Sequence, residues 1–85
     1  MASSYAAFHV NYTAEDGVTV HVGAGVSVAV YDTVALADVA ESPLTTDSDG
    51  LIAAGSLAAV DPGTKIIFRV ENYLGTAMCV SQLTT

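Results

Sequence analysis

The sequence predicts an all-β domain, a Greek-key β-sandwich of about seven short strands. Two observations carry that reading. Apolar and β-branched residues recur at every second position in several short stretches, the period of a strand with one buried face. Turn-forming residues separate those stretches roughly every 8–12 residues, the spacing of a sandwich.

The elements follow in order. From Tyr5 to Tyr12 the pattern alternates, with Phe8, Val10 and Tyr12 on one face and Ala7, His9 and Asn11 on the other. Glu15-Asp16-Gly17 is a turn signal. Val18, Val20 and Val22 then alternate with Thr19 and His21, and Gly23-Ala24-Gly25 interrupts. Val26, Val28 and Val30 resume on one face. The stretch from Thr33 to Glu41 is alanine-rich, and Leu36 with Ala40 would share a face of a short helical turn. Its brevity and the lack of a firm cap favour a loop or a weak edge strand. Pro43 lacks an amide hydrogen and belongs at the start of a strand or on an edge. Asp47-Ser48-Asp49-Gly50 is a turn, and Leu51 to Leu57 is extended. Asp61-Pro62-Gly63 is a second turn, with proline presetting φ and glycine accepting positive φ. In the next strand Ile66, Phe68 and Val70 point inward, and Lys65, Arg69 and Glu71 outward. Asn72-Tyr73-Leu74-Gly75 turns the chain into a last strand, Thr76 to Leu83.

Composition bounds the function. The 85 residues form one domain, residues 1–85, with an arm expected over residues 1–7 that pairs with a neighbouring sheet edge. A chain this short buries only about 60–65% of its unfolded surface, so partners, metals or disulfides commonly support such domains. An internal disulfide is excluded, because Cys79 is the only cysteine. Two basic residues against nine acidic ones give a net charge of −7. That charge repels phosphate backbones and anionic bilayers, so neither nucleic acid nor membrane is an expected partner. It favours solubility of an isolated chain. The first residues show no basic region followed by an apolar run, so the expected site of synthesis is the cytosol.

Chemistry-bearing residues are sparse, and no catalytic, cofactor or metal site is expected. Asp47 and Asp49 resemble a fragment of a calcium loop, but the further carboxylates and the distal glutamate are missing, and a β-turn explains them. Pairing Phe8 with Val22 across a first hairpin would set His9 opposite His21 on the outer face. Two imidazoles fall short of a zinc site, and a register shifted by two would separate them. Cys79 has no base or cationic setting and reads as buried packing. No nucleophile elbow, triad spacing or phosphate loop is present, so the chain is expected not to be an enzyme. Ile67 shares a face with Lys65 and Arg69, the only two cations, which makes the three a candidate contact point for a partner. Tyr5, Tyr31 and Tyr73 are added to that interface because tyrosine suits half-buried sites.

Three pieces together, Gly25-Val26-Ser27-Val28-Ala29-Val30, Thr45-Thr46-Asp47-Ser48-Asp49-Gly50, and Asp61-Pro62-Gly63 with the strand through Val70, carry a resemblance. In order and spacing, the stretch from Gly25 to Tyr73 resembles the carboxypeptidase-regulatory-like, or transthyretin-like, β-sandwich modules. It departs in one respect: the strand after Pro-Gly is charged and mixed rather than opening on Tyr or Thr. The resemblance implies a transthyretin-like, Ig-like sandwich and a non-catalytic module of secreted enzymes, surface proteins or virus particles. Free-standing versions look most like small structural proteins of tailed bacteriophages. The expectation is therefore a virion structural protein, such as a capsid decoration protein or another head or tail accessory. It would be located in the virion and partnered by other virion proteins or by itself. The alternative is a ligand-binding or adhesion module, extracellular or at a cell surface.

Overall fold

The structure, a computed structural model, describes residues 2–13 and 16–85. Glu15, expected in the first hairpin turn, lies outside the described residues. The fold is all-β: among the described residues there are eleven short strands in several antiparallel ladders and no helix.

Three of the strands are pieces of one extended segment: β1 (Ser3–Tyr5), β2 (Phe8–His9) and β3 (Asn11–Thr13). β1 pairs with β9 (Gly55–Leu57) and β2 with β8 (Leu51–Ile52) in a single continuous register, Ser3 opposite Leu57 and Phe8 opposite Ile52. β3 pairs instead with β4 (Thr19–His21). The handover falls at Val10, whose N–H donates to the Gly50 carbonyl (2.8 Å) and whose carbonyl accepts from the Val22 N–H (2.9 Å). β8 and β4 thus lie end to end along one edge of the segment. Gly50 stands at their junction with φ of 71°, and a Cβ there would run into the Val22 carbonyl, so only glycine fits.

The inward phase of this segment switches midway. Ser3 and Tyr5 are buried, whereas from Phe8 onward the even residues Phe8, Val10 and Tyr12 turn inward. The partner segment switches too, from Leu57 to Ile52. The common register sets Ala6-Ala7 opposite Ala53-Ala54, where small side chains let both strands break phase together. The carboxamide of Gln82 spans this break: its Oε1 accepts the Ala6 N–H and its Nε2 donates to the Ala6 carbonyl, both at 3.0 Å. Ser4 and Thr85 exchange two backbone hydrogen bonds (2.9 and 3.0 Å). Residues 3–5, expected within an arm, are therefore paired on both edges inside their own chain.

The main sheet runs β11 (Thr76–Leu83), β10 (Lys65–Tyr73), β5 (Ser27–Asp32), β6 (Ala37–Asp38), and β7 (Leu44–Thr45) also pairs with β5. Its inward residues Val28, Val30, Ile66, Phe68 and Val70 are buried, and Lys65, Arg69 and Glu71 are exposed, as the alternation predicts. Phe68 joins the main sheet to the first segment, with the ring of Tyr5 edge-on at 5.5 Å and that of Phe8 tilted at 4.6 Å. Val10, Val22, Ile52, Leu57 and Val60 complete the core.

The connections hold their backbone by side-chain acceptors. Buried Asp32 accepts the N–H groups of Val34 (2.8 Å) and Ala35 (3.2 Å), which shapes the turn into β6. Leu36, expected in a loop, weak edge strand or helical turn, lies in that turn just ahead of the two-residue edge strand β6. Pro43 precedes the edge strand β7 in a cis peptide bond. Buried Thr46 donates to the Gly23 carbonyl (2.7 Å) and accepts the Val26 N–H (3.0 Å), tying the β4–β5 connection to β7. Thr84 packs its hydroxyl against the Asp61 carbonyl (3.0 Å) under the Asp-Pro-Gly turn.

One expected face is left uncovered. Val22 is buried, but Val18 and Val20 are 53% and 49% exposed. The molecule is elongated, with extents of 43 × 22 × 18 Å and a radius of gyration of 13.0 Å, against about 12 Å for a compact chain of this length.

Candidate protein-docking faces

The outer face of the main sheet gathers four of the six candidate contact residues. Ile67 lies opposite Tyr31 on β5 and Ser81 on β11. Arg69 lies opposite Ala29 and Cys79, and Lys65 opposite Leu83. Directly opposed residues share a face, so Ile67, Tyr31, Lys65 and Arg69 form one patch. Ile67 and Tyr31 are half-buried by these neighbours, and Leu83 is exposed beside Lys65. Val34 and Leu36, in the turn that follows β5, are also exposed. Arg69 pairs with Glu71 at 3.6 Å, an exposed contact of small energetic weight.

The other two tyrosines lie elsewhere. Tyr73 stands near the far end of β10, its ring edge-on to Tyr12 at 5.3 Å. Tyr5 is buried in the core over Gly55, where a Cβ would come within 2.6 Å of its hydroxyl. Burial, with a smaller contribution from the Glu41 carboxylate, raises its pKa above the ordinary tyrosine value. Cys79, read from the sequence as buried, is exposed. It belongs to the outward phase of β11, opposite Arg69.

A second opening lies on the inward side of β11. Met78 and Val80 sit opposite Val70 and Phe68, hence on the core-facing side of the sheet. Val80 is nonetheless 48% exposed. A slot of about 220 Å³ separates β11 from the first segment. Consecutive residues line each side of it, Phe8 to Asn11 on one and Met78 to Val80 on the other, over a floor of Val28, Phe68 and Val70. The walls are therefore strand edges. A third, wider depression of about 680 Å³ lies beside β5, with Pro43, Asp38, Glu71 and Tyr73 around Ser27 and Ala29.

The histidines meet in a register shifted by two from the one that would set them directly opposite. Asn11, not His9, faces His21, yet the rings of His9 and His21 stack with centroids 4.3 Å apart. The shift therefore does not separate them. His21 Nδ1 is hydrogen-bonded to Asn11 Oδ1. Parallel stacking directs the ring nitrogens alongside one another rather than toward a common point. Among the described residues no three His, Cys, Asp or Glu side chains group to hold a metal. Asp47 spends one carboxylate oxygen on the N–H groups of Asp49 (2.8 Å) and Leu51 (3.0 Å), which is turn geometry.

Sequence reasoning missed Gln82 and the slot. A glutamine on an edge strand carries no signal of a bridge to a residue 76 positions away. The run Ala77-Met78-Cys79-Val80 is apolar on both phases, and so gives no sign of which face lacks cover. In comparison with known proteins, no family model, curated protein or solved structure matches this chain.

Proposed function

We propose that this chain is a non-enzymatic structural protein of a virus particle, a capsid decoration protein or another head or tail accessory. It docks on its neighbours, other virion proteins or further copies of itself, through the outer face of the main sheet. The observation that carries the reading is the convergence of Ile67 and Tyr31 with the chain's only two cations on that one face. Leu83 extends its apolar area. Apolar side chains flanked by Lys65 and Arg69, with Glu71 beside Arg69, on an otherwise acidic molecule, are suited to a partner surface that carries carboxylates. The virion setting rests on the resemblance of Gly25 to Tyr73 to transthyretin-like modules. The seven-strand Greek-key sandwich belongs to the same reading. Counting β1–β3 as one strand and β8–β9 as one leaves eight extended segments around one core, of which β6 and β7 have two residues each.

The action is passive: copies bury area against their neighbours, and mass action stabilises each of them. Light scattering across a concentration series is the test. Ile67→Asp should weaken association by about tenfold or more, the scale of one interface anchor, without altering the circular dichroism of the chain. Association unchanged in that variant would remove the outer face from the proposal.

A further inference from the structure

The slot between β3 and β11 has what a β-strand needs on every side. The first segment uses its even residues for pairing with β8 and β4, as the two bonds of Val10 show. Strand geometry then turns the backbone groups of the odd residues His9 and Asn11 to the opposite edge, which is the slot. Among the described residues, no backbone hydrogen bond joins residues 8–13 to residues 76–81. Near one end Gln82 bonds Ala6 across the gap, and near the other Tyr12 packs edge-on against Tyr73 of β10, beside the turn into β11. Between these bridges the floor is apolar, and Val80 and Met78 stand beside it incompletely covered.

We propose that this slot receives an extended, basic segment of another polypeptide, added as a strand between the two edges. Ser4 and Thr85 pair as antiparallel neighbours, so the incoming strand runs parallel to one edge and antiparallel to the other. About four to six residues span the interval between the bridges. Alternate apolar side chains of valine or leucine size fill the 220 Å³ over Phe68 and Val70. The intervening side chains project outward beside His9, Asn11, Cys79 and Ser81.

Charge selects the occupant. Neither cation lines the slot, although Arg69 stands across from Cys79 on the outer face, and the molecule as a whole is acidic. A lysine- or arginine-bearing strand gains from the net charge of −7, whereas a second copy would bring a further −7 to the contact. The proposal uses the free edge of β11 and not Ile67 or Tyr31, so it holds or fails apart from the outer-face reading.

The test titrates a labelled peptide of alternating lysine and valine into the full chain, followed by fluorescence anisotropy. Alternating glutamate–valine and lysine–serine peptides serve as controls. The lysine–valine peptide should bind, and both controls should bind at least about tenfold more weakly. Raised salt should weaken it. Val80→Asp, and Val80→Ser as the milder change, should lower its affinity by a similar factor. Bound peptide should slow hydrogen exchange in residues 9–13 and 76–80. Equal binding of the glutamate peptide, no binding of any peptide, affinity indifferent to both Val80 variants, or protection confined to other strands would each overturn the proposal. A self-associated state that buries residues 76–80 and excludes the peptide would overturn it as well, by giving the slot to a second copy.

Discussion

At Tyr5 a phenol is held where its ionised form is disfavoured twice, by burial and by the Glu41 carboxylate. The pKa is raised above 10.0, so the folded chain keeps its proton where the unfolded chain has lost it. Stability is then unaffected below about pH 10 and falls as pH rises from there through the folded value. Tyr5→Phe preserves the ring against Phe68 and removes the titrating group. Urea midpoints measured between about pH 8 and 11 should decline less steeply in Tyr5→Phe than in the parent. The same residue shows what a single position conceals. An alternating strand through Tyr12 predicts that Tyr5 faces away from Phe8, and tyrosine on such a face reads as a contact residue. The phase break across Ala6-Ala7 turns it into the core, and alanine, at home on either face, gives no sign of the break.

Strands were legible wherever polar and apolar residues contrast. Lys65 to Glu71 alternates charge with branched carbon, and the structure buries the predicted half. Val18 and Val20 alternate just as well and are exposed. Periodicity reports which face is apolar, and whether another element covers that face depends on pairings that alternation does not encode. The register of β3 with β4 is likewise not encoded in the alternation, and the histidines stack although they are not directly opposed. The β10–β11 hairpin supports a prediction at this scale. Leu74 and Gly75 both have positive φ, 52° and 82°, the conformation of a two-residue turn that favours asparagine followed by glycine. Leu74 is also exposed, so its side chain gains little there. Leu74→Asn should raise stability by about 0.5–1 kcal/mol, read from denaturant midpoints at unchanged slope. A loss of stability would mean that Leu74 packs in a way its exposure does not show.

For the whole molecule, the decisive contacts are those between the two ends of the chain. Gln82 stands in for a strand residue across the break at Ala6, and Ser4 pairs with Thr85. Replacing Gln82 by alanine leaves the Ala6 backbone groups without these partners and should cost about 1–2 kcal/mol. Hydrogen exchange at Ala6 and Ser4 should quicken more than at Phe68. Equal acceleration everywhere would make the bridge part of the global core rather than a local latch. None of this organisation was legible from composition or turn signals, which locate segments without saying which of them meet.

The clasp between Ser4 and Thr85 has a mechanical side. The first and last strands lie antiparallel, so the chain leaves both of them at the same end of the molecule. Tension applied through the two ends would load these bonds one after another, as a zipper opens, instead of shearing them together. Opened bond by bond, the seam should part at a smaller force than one whose bonds were loaded together. Placed in an assembly, the protein would hold best where neighbours press on it and least where they pull on its ends.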